Sequence, residues 1–534
     1  MPDIMTTLQR HWRTLVLTCL AGPLAYAANL TIDADGLGNE LQEPELQLEL
    51  EGYQAADVTP AAVWNDLLEH LRQNFSIPPV MNSRVEAELN WFVRHPEYLD
   101  RVFTRAQRYL PYISREIDKR GLPSELALLP IVESAYDPFA YSHGRASGLW
   151  QIVPGTGRHF GIRQNWWYDG RRDVVDSTDG ALKYLDHLHG LMEGDWLLAV
   201  ASYNTGEGNL LKAIKRNRAK GKPTDFWNLS VSRETSSYVP KLMALVEIVR
   251  DPGAYGLTLP TVVTDQQFVP IDIGGQLDLA LAAELGGIDL DTLYSWNAGF
   301  NRWATDPAGP HRLLLPVDAA ETFSNALAAL PDDERLRWQR HKIGNGETLS
   351  EIAEKYHTTL ASIREANSIR GNTIRAGQYL MIPVASKPLG TYNLSASERR
   401  AAKQEKPRAG NRVEHFVASG ESFWSISRKY DVGMRNLASW NGMAPRDTLA
   451  IGQKLVVWTD KAAASASANV ATSSVSTTRK LNYTVRNGDS LYLIANRFRI
   501  TVADLLRWNK IDKNKILRPG QRLTMYVDVR SQSS

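Results

Sequence analysis

The residue of this chain best suited to proton chemistry is Glu133, which closes the run LALLPIVE at residues 126–133. Apolar surroundings disfavour the charged form of a carboxyl group, raise its pKa and keep a proton ready for a leaving oxygen. A glutamate at the end of an apolar helix can equally cap it or pair with an arginine, so the residue alone does not define an acid. Ordinary glycosidases set two carboxylates about the bond they cut. Asp137 and Asp169 lie close to Glu133 in sequence, but nothing in their setting marks either as the second group. No metal-ligand cluster, glycine-rich phosphate loop or nucleophile triad accompanies them, so neither a metal nor a cofactor is expected.

Three further motifs follow in order. Gly148-Leu149-Trp150-Gln151-Ile152 sets a glycine and an amide 15 and 18 residues after Glu133. Ala201-Ser202-Tyr203-Asn204-Thr205-Gly206 and Glu234-Thr235-Ser236-Ser237-Tyr238-Val239-Pro240 complete the series. Each alone is weak. Together with Glu133-Ser134 they resemble the slt-type, goose-lysozyme-like lytic transglycosylases, over about residues 108–256. The resemblance implies a catalytic acid at Glu133. It implies substrate contacts from Ser134, Ser142, Gly148, Gln151, Tyr203, Asn204, Glu234 and Tyr238, with Glu234 ordering the helix about the site and Tyr238 orienting Glu133 or the sugar. Gly148 and Gly206 would let the backbone approach a sugar. Trp150, Trp166, Trp167 and Tyr168 would either stack on sugar faces or pack in the core. The implied reaction cleaves peptidoglycan between N-acetylmuramic acid and N-acetylglucosamine with one carboxylate, the muramyl 6-hydroxyl acting as nucleophile and a 1,6-anhydro ring as product. A hydrolytic lysozyme-type muramidase of the same fold and a catalytically silent wall-binding scaffold are the alternatives.

These residues need a frame. From about residue 61 to 260 apolar side chains recur at three- and four-residue spacing, as in Leu182, Leu185 and Leu188, which predicts a compact, mainly α catalytic domain. The C-terminal half repeats itself. Copies open at His341, His415 and Tyr483, and in each a glycine (Gly346, Gly420, Gly488) precedes an asparagine (Asn367, Asn441, Asn509) by 21 residues. A Gly-Gln pair and an apolar strand close each copy. The pattern reads strand, helix, helix, strand and resembles LysM domains, small α+β (βααβ) modules that bind N-acetylglucosamine polymers. The resemblance makes those six glycines and asparagines candidates for sugar-binding loops. The expected modules run 341–385, 413–458 and 482–528, on flexible linkers at 386–412 and 459–481, the second rich in Ala, Ser and Thr. A fourth, degenerate copy is expected at 265–320, because Ile271–Asn297 aligns without gaps to the first copy and Leu313–Pro316 matches its closing strand. Gln276 replaces the loop glycine there, so this unit should dock on the helical domain and bind little sugar.

Composition agrees with a multidomain protein: 534 residues, 43% hydrophobic and 22% charged. The net charge of +2 conceals a basic tail from His341 onward, with 30 Lys and Arg against 15 Asp and Glu, and an acidic remainder, with 31 against 44. That tail suits an anionic polymer; the glycan strand, and not nucleic acid, is the expected partner, with a monomer assumed. Residues 1–27 read as a signal peptide, with Arg10 and Arg13 before a short apolar stretch and Ala25-Tyr26-Ala27 as the cleavage site. Residues 28–60 read as a flexible leader. The expected location is the periplasm; lipidation of Cys19, and with it an outer-membrane attachment, is the weaker reading because Thr18 is a poor neighbour for a lipidated cysteine. The exported start and LysM tail together are most similar to the membrane-bound lytic transglycosylase D subgroup.

Overall fold

The computed structural model describes residues 66–460, 478–485, 494, 502–509 and 520–528. The signal and leader, most of the Ala/Ser/Thr linker, and Gly488 lie outside the described residues.

The front part is helical. Its centre is α10 (Arg233–Arg250), whose residues 242–246 are all buried. A helix apolar on every side must be surrounded. Around it lie α1 (Leu67–Gln73), α2 (Ser83–Val93), α5 (Leu129–Ser134) and α8 (Trp196–Thr205). Between them in sequence come α3 (Pro96–Ala106), α4 (Leu110–Asp118), α6 (Pro154–His159), α7 (Val174–Leu191) and α9 (Glu207–Arg218). The caps are legible in sequence. Asp66, Asn82, Asp173, Asp195 and Ser232 each accept first-turn backbone N–H groups at the starts of α1, α2, α7, α8 and α10.

Residues 268–329 form the expected degenerate repeat. β1 (Phe268–Asp272) pairs antiparallel with β2 (Arg312–Pro316), and α11 (Leu279–Gly286) and α12 (Leu290–Trp296) lie between them in sequence. An additional helix, α13 (Val317–Ala329), packs on α11. The unit is docked on the helical part. Phe268, Trp296 and Leu314 join the helical core. Arg312 of β2 bonds Asp173 at 3.0 and 2.8 Å and Asp176 at 2.7 Å, and Asp173 is at the same time the cap of α7.

Three repeat modules follow, the first two with a βααβ order. The first has β3 (Arg337–Lys342), α14 (Leu349–Lys355), α15 (Leu360–Ala366) and β4 (Tyr379–Val384). The second has β5 (Asn411–Phe416), α17 (Phe423–Tyr430), α18 (Met434–Trp440) and β6 (Lys454–Thr459). In the third, strands Thr478–Thr484 and Arg522–Asp528 pair antiparallel, with a helix at Val502–Asn509.

The 386–412 segment is a correction to the expectation of flexible linkers. It folds and docks. Ser386 and the Tyr392 hydroxyl donate to the buried Asp278 carboxylate of the degenerate unit at 2.9 Å. Helix α16 (Ala396–Glu405) follows, and its Gln404 donates to Asn441 of the second module at 2.8 Å. Its polar composition suggested a solvated coil, but Ser386, Tyr392 and Gln404 are spent on buried partners.

A second correction concerns the repeated asparagines. Asn441 is fully buried and makes three bonds inside its own module. Its amide donates to Leu437 O and Val456 O, both at 2.8 Å, and its Oδ1 accepts from Val456 N at 2.7 Å. Asn367 bonds Ile363 O, Met381 O and Met381 N in the same way, and Asn509 bonds Leu505 O, Thr524 O and Thr524 N. Asn297 repeats the pattern in the degenerate unit with Leu293 O, Leu314 O and Leu314 N. These asparagines are staples from the second helix to the closing strand, with no donor left for a sugar. Gly346 and Gly420 are required for another reason: both have φ above +80°, and neither has a neighbour within reach of an added Cβ.

Replacing Asn441 by Ala strands the Val456 backbone groups in a dry site. The second module should lose about 2–4 kcal/mol of stability. The measurement is amide exchange at Val456; unchanged protection there would refute the staple.

Candidate active site

Glu133 sits in the last turn of α5, whose preceding residues Leu129, Pro130 and Ile131 are buried. The chain leaves the helix sharply. Ala135 and Tyr136 both take left-handed φ values, 52° and 57°. Such backbone persists in non-glycine residues only where surrounding contacts fix it. Here Tyr136 is fully buried and its hydroxyl donates to Ala127 O at 2.7 Å. The turn leaves Glu133 on the wall of a cleft of about 750 Å3.

Burial dominates the electrostatics of Glu133. Loss of solvation pushes its carboxyl up to about 8. The hydrogen bond from the Tyr238 hydroxyl to Oε1 pulls the other way, and the neighbouring Glu234 charge adds to the rise. At neutral pH the group therefore carries its proton. It is the condition a general acid needs.

The cleft gathers most of the sequence candidates: Ser142, Gln151, Tyr203, Asn204, Glu234 and Tyr238 line it with Glu133. Each is held by a specific bond. Ser142 Oγ accepts from Ala146 N at 3.0 Å. Gln151 has a left-handed φ of 45°, and its amide donates to Gly148 O at 2.9 Å. The Tyr203 hydroxyl donates to Trp150 O at 2.7 Å, and its ring lies 5.4 Å from that of Tyr184. Asn204 Oδ1 accepts from Thr235 at 2.8 Å, and its amide lies 3.5 Å from Glu234 Oε1. Glu234 is exposed in the first turn of α10, where the helix dipole favours a negative charge. Gly206 also lines the cleft, at φ +83°, with open space beside its Cα.

Other candidates are placed elsewhere. Ser134 turns away from the cleft; its Oγ lies 2.9 Å from Leu149 O and 3.2 Å from Pro130 O, tying α5 to the next motif. Gly148 is needed by the fold and not by a sugar: a Cβ there would meet Arg171 O at 1.9 Å. Trp150 is fully buried and donates to Thr178 at 3.0 Å. Trp167 and Tyr168 are core residues, and Trp166 packs against the same cluster. Asp169 is paired with Arg171 at 2.8 Å, and neither it nor Asp137 faces the cleft.

Sequence reasoning missed several cleft residues, among them Lys241, Tyr184 and Arg435. Lys241 stands three residues after Tyr238 on α10, so helical spacing could have found it. Tyr184 on α7 reads as an ordinary core position. Arg435 belongs to α18 of the second module, and no local signal carries it. It reaches the cleft because Asp447 of that module binds Arg145 at 2.8 Å and the Tyr141 hydroxyl at 3.1 Å.

In the second module the loops named for sugar binding are flanked by exposed apolar side chains, Trp424 and Ile451. In the degenerate unit the corresponding loop is closed on its own scaffold. Gln276 donates to Thr305 O at 2.8 Å and Leu277 N donates to Thr305 Oγ1 at 2.9 Å.

A proton-bearing glutamate in a helical cleft, followed by βααβ modules, defines a cell-wall glycan-cleaving enzyme of the lytic transglycosylase class. Comparison with known proteins agrees. Residues 111–226 match the Transglycosylase SLT domain, residues 267–332 the LysM-like domain of lytic transglycosylase MltD, and residues 341–383, 415–458 and 483–525 the LysM domain. The membrane-bound lytic murein transglycosylase D of Escherichia coli (strain K12) is 32% identical over 455 residues, covering 81% of this chain and 97% of that protein. A putative tributyltin chloride resistance protein of an Alteromonas species is 41% identical over 177 residues, 33% of this chain and 83% of that one. Among solved structures, an inactive mutant of the lytic transglycosylase Slt from Pseudomonas aeruginosa is 25% identical over 28% of this chain and 25% of that chain, with a TM-score of 0.21. The chain belongs to the membrane-bound lytic murein transglycosylase D family. No helix among the described residues is long and apolar enough to cross a membrane.

The pH dependence follows from the position of Glu133. With Glu133 as the general acid, the protonated form would be the active one, and kcat/KM should fall as pH rises through about 8. The bond from Tyr238 favours the charged carboxylate, so Tyr238→Phe should move that limb to higher pH. A limb that stays in place, or moves down, would refute the assignment.

Proposed function

We propose that this chain cleaves the glycosidic bond between N-acetylmuramic acid and N-acetylglucosamine in peptidoglycan, with Glu133 as both acid and base. The carrying observation is one half-buried, proton-bearing carboxyl on the cleft wall, with the other cleft carboxylate, Glu234, exposed and turned to Asn204. Glu133 gives its proton to the glycosidic oxygen as the bond from the muramyl C1 breaks. The muramyl 6-hydroxyl then attacks C1 and returns its proton to Glu133. No water is consumed, and the product ends in a 1,6-anhydro ring. Gln151 and Asn204 position the acetamido sugar, and Tyr238 holds Glu133 in place. The LysM modules hold the enzyme to the wall, and the degenerate unit at 265–320 serves packing. The enzyme works as an exported protein of the periplasm, as a monomer, and outer-membrane attachment through Cys19 is the lesser reading.

Products released from purified peptidoglycan should be lighter by one water than those of a hydrolytic muramidase. Reducing-end fragments alone, by mass spectrometry, would establish hydrolysis instead. Glu133→Gln should lower turnover by at least about 1000-fold while wall binding is kept, because Gln has no acidic proton to give. Near-normal turnover would overturn the role of Glu133.

A chain ending at Pro331 should still cut soluble glycan fragments but sediment poorly with insoluble sacculi. Weak modules acting together gain through effective concentration what each lacks alone. Equal sedimentation of the short and full-length proteins would refute the tethering role.

A further inference from the structure

The 137–147 loop borders two cavities. One is the catalytic cleft; the other, of about 400 Å3, opens where the helical domain, the degenerate unit, α16 and the second module meet. Six cations line this second cavity: Arg171, Arg172, Arg302, Arg399, Arg400 and Lys403. Against them stand three carboxylates, Asp137, Asp169 and Asp447, and these are already committed. Asp169 takes Arg171 through both oxygens, at 2.9 and 2.8 Å, with Arg172 at 3.6 Å. Asp447 holds Arg145 and Tyr141. Asp137 accepts the Phe139 N–H at 2.9 Å.

Arg302 and Arg399 have backbone and ring partners. Arg302 donates to Trp166 O at 3.1 Å, with its guanidinium 4.0 Å from the Trp166 ring centre. Arg399 donates to Leu394 O and lies 4.6 Å from the Phe139 ring centre. Among the described residues no ion pair is formed by Arg302, Arg399, Arg400 or Lys403. Loss of solvation pulls Arg302 down to about 10 and Arg399 down to about 9, with nearby arginines adding to the fall. A crowd of like charges in a half-closed cavity is unfavourable until an anion enters. Guanidinium forks match carboxylates in bidentate geometry. Trp166, Phe139 and Met443 add apolar wall that a bare phosphate would not use and an aliphatic peptide would.

We propose that this junction cavity binds the carboxylates of the peptide branches carried by the glycan strand. The peptide is borne by the muramyl sugar beside the bond that Glu133 cuts, and one loop serves both cavities. The helical domain, the degenerate unit, α16 and the second module together read the branch while the cleft reads the sugars. This rests on the glycan-cleaving reading of the cleft, but the binding itself does not require cleavage.

The test uses full-length protein carrying Glu133→Gln and a free L-alanyl-D-glutamyl-diaminopimelate tripeptide, without sugar, titrated by calorimetry. Saturable binding is expected, and Arg400→Gln with Lys403→Gln, both at the exposed rim, should weaken it about tenfold, as should Arg399→Gln. Should Arg399→Gln fail to fold, the rim pair decides. In the otherwise wild-type enzyme the rim pair should raise KM about fivefold on peptide-bearing strands and leave kcat in place. On strands stripped of peptide by an amidase, variant and wild type should match; loss of cleavage there by both would indict the cleft reading and not this one. Absence of tripeptide binding, binding indifferent to the rim pair, or displacement by inorganic phosphate at equal concentration would overturn the proposal.

Discussion

A carboxyl group that must hold its proton at neutral pH has to be kept from water, and much of the helical domain can be read as the means of doing so. Glu133 sits in the last turn of a short helix whose first three residues are buried, and α10 passes beside it to deliver Tyr238. Desolvation is costly for the charged form, so the group rests as a neutral acid at neutral pH. The left-handed residues after Ser134 let the chain turn at once, so the apolar run does not continue past the acid. Ser134 then ties α5 to the second motif through Leu149 O, and Tyr203 ties the third motif to the second through Trp150 O. Several motif residues thus serve the acid without touching a sugar.

That division explains what could be read in the sequence and what could not. Helical spacing and capping residues announced the front domain, and repeated spacing announced the modules, the degenerate one included, because a small βααβ unit has few ways to fill its core. Glu133 was legible from its apolar approach together with its companions. Motif membership did not separate contact from support. Gly148 and Gly206 look alike in sequence, yet one faces the Arg171 backbone and the other the cleft. Trp150 offered a stacking face and is a core residue. The asparagines at fixed spacing signalled a shared need, and the need is backbone pairing. Arg435 and the cation-lined cavity were out of reach, because they arise only when α16 and the second module dock.

Docking changes what the modules are for. With the 386–412 segment bonded to Asp278 on one side and Asn441 on the other, the second module is held against the catalytic domain by named contacts. Its Asp447 anchors the same loop that carries Ser142. A wall-binding module in this position shapes the mouth of the active site as well as the affinity of the enzyme.

The asparagine staple has a bearing on how such a chain could arise. The bonds that close each module run between its second helix and its closing strand, and the bond Asn441 also accepts from Gln404 of α16 is additional to them, so closure itself asks nothing of a neighbour. A stretch of gene encoding one module therefore carries its own fastening and can be copied in tandem without rewriting what flanks it. A copy may then exchange its binding loop for a packing one, as at Gln276, and still fold, because the fastening and the ligand loop are different residues. The docked unit at 268–329 thus keeps the same clasp as the modules that follow it.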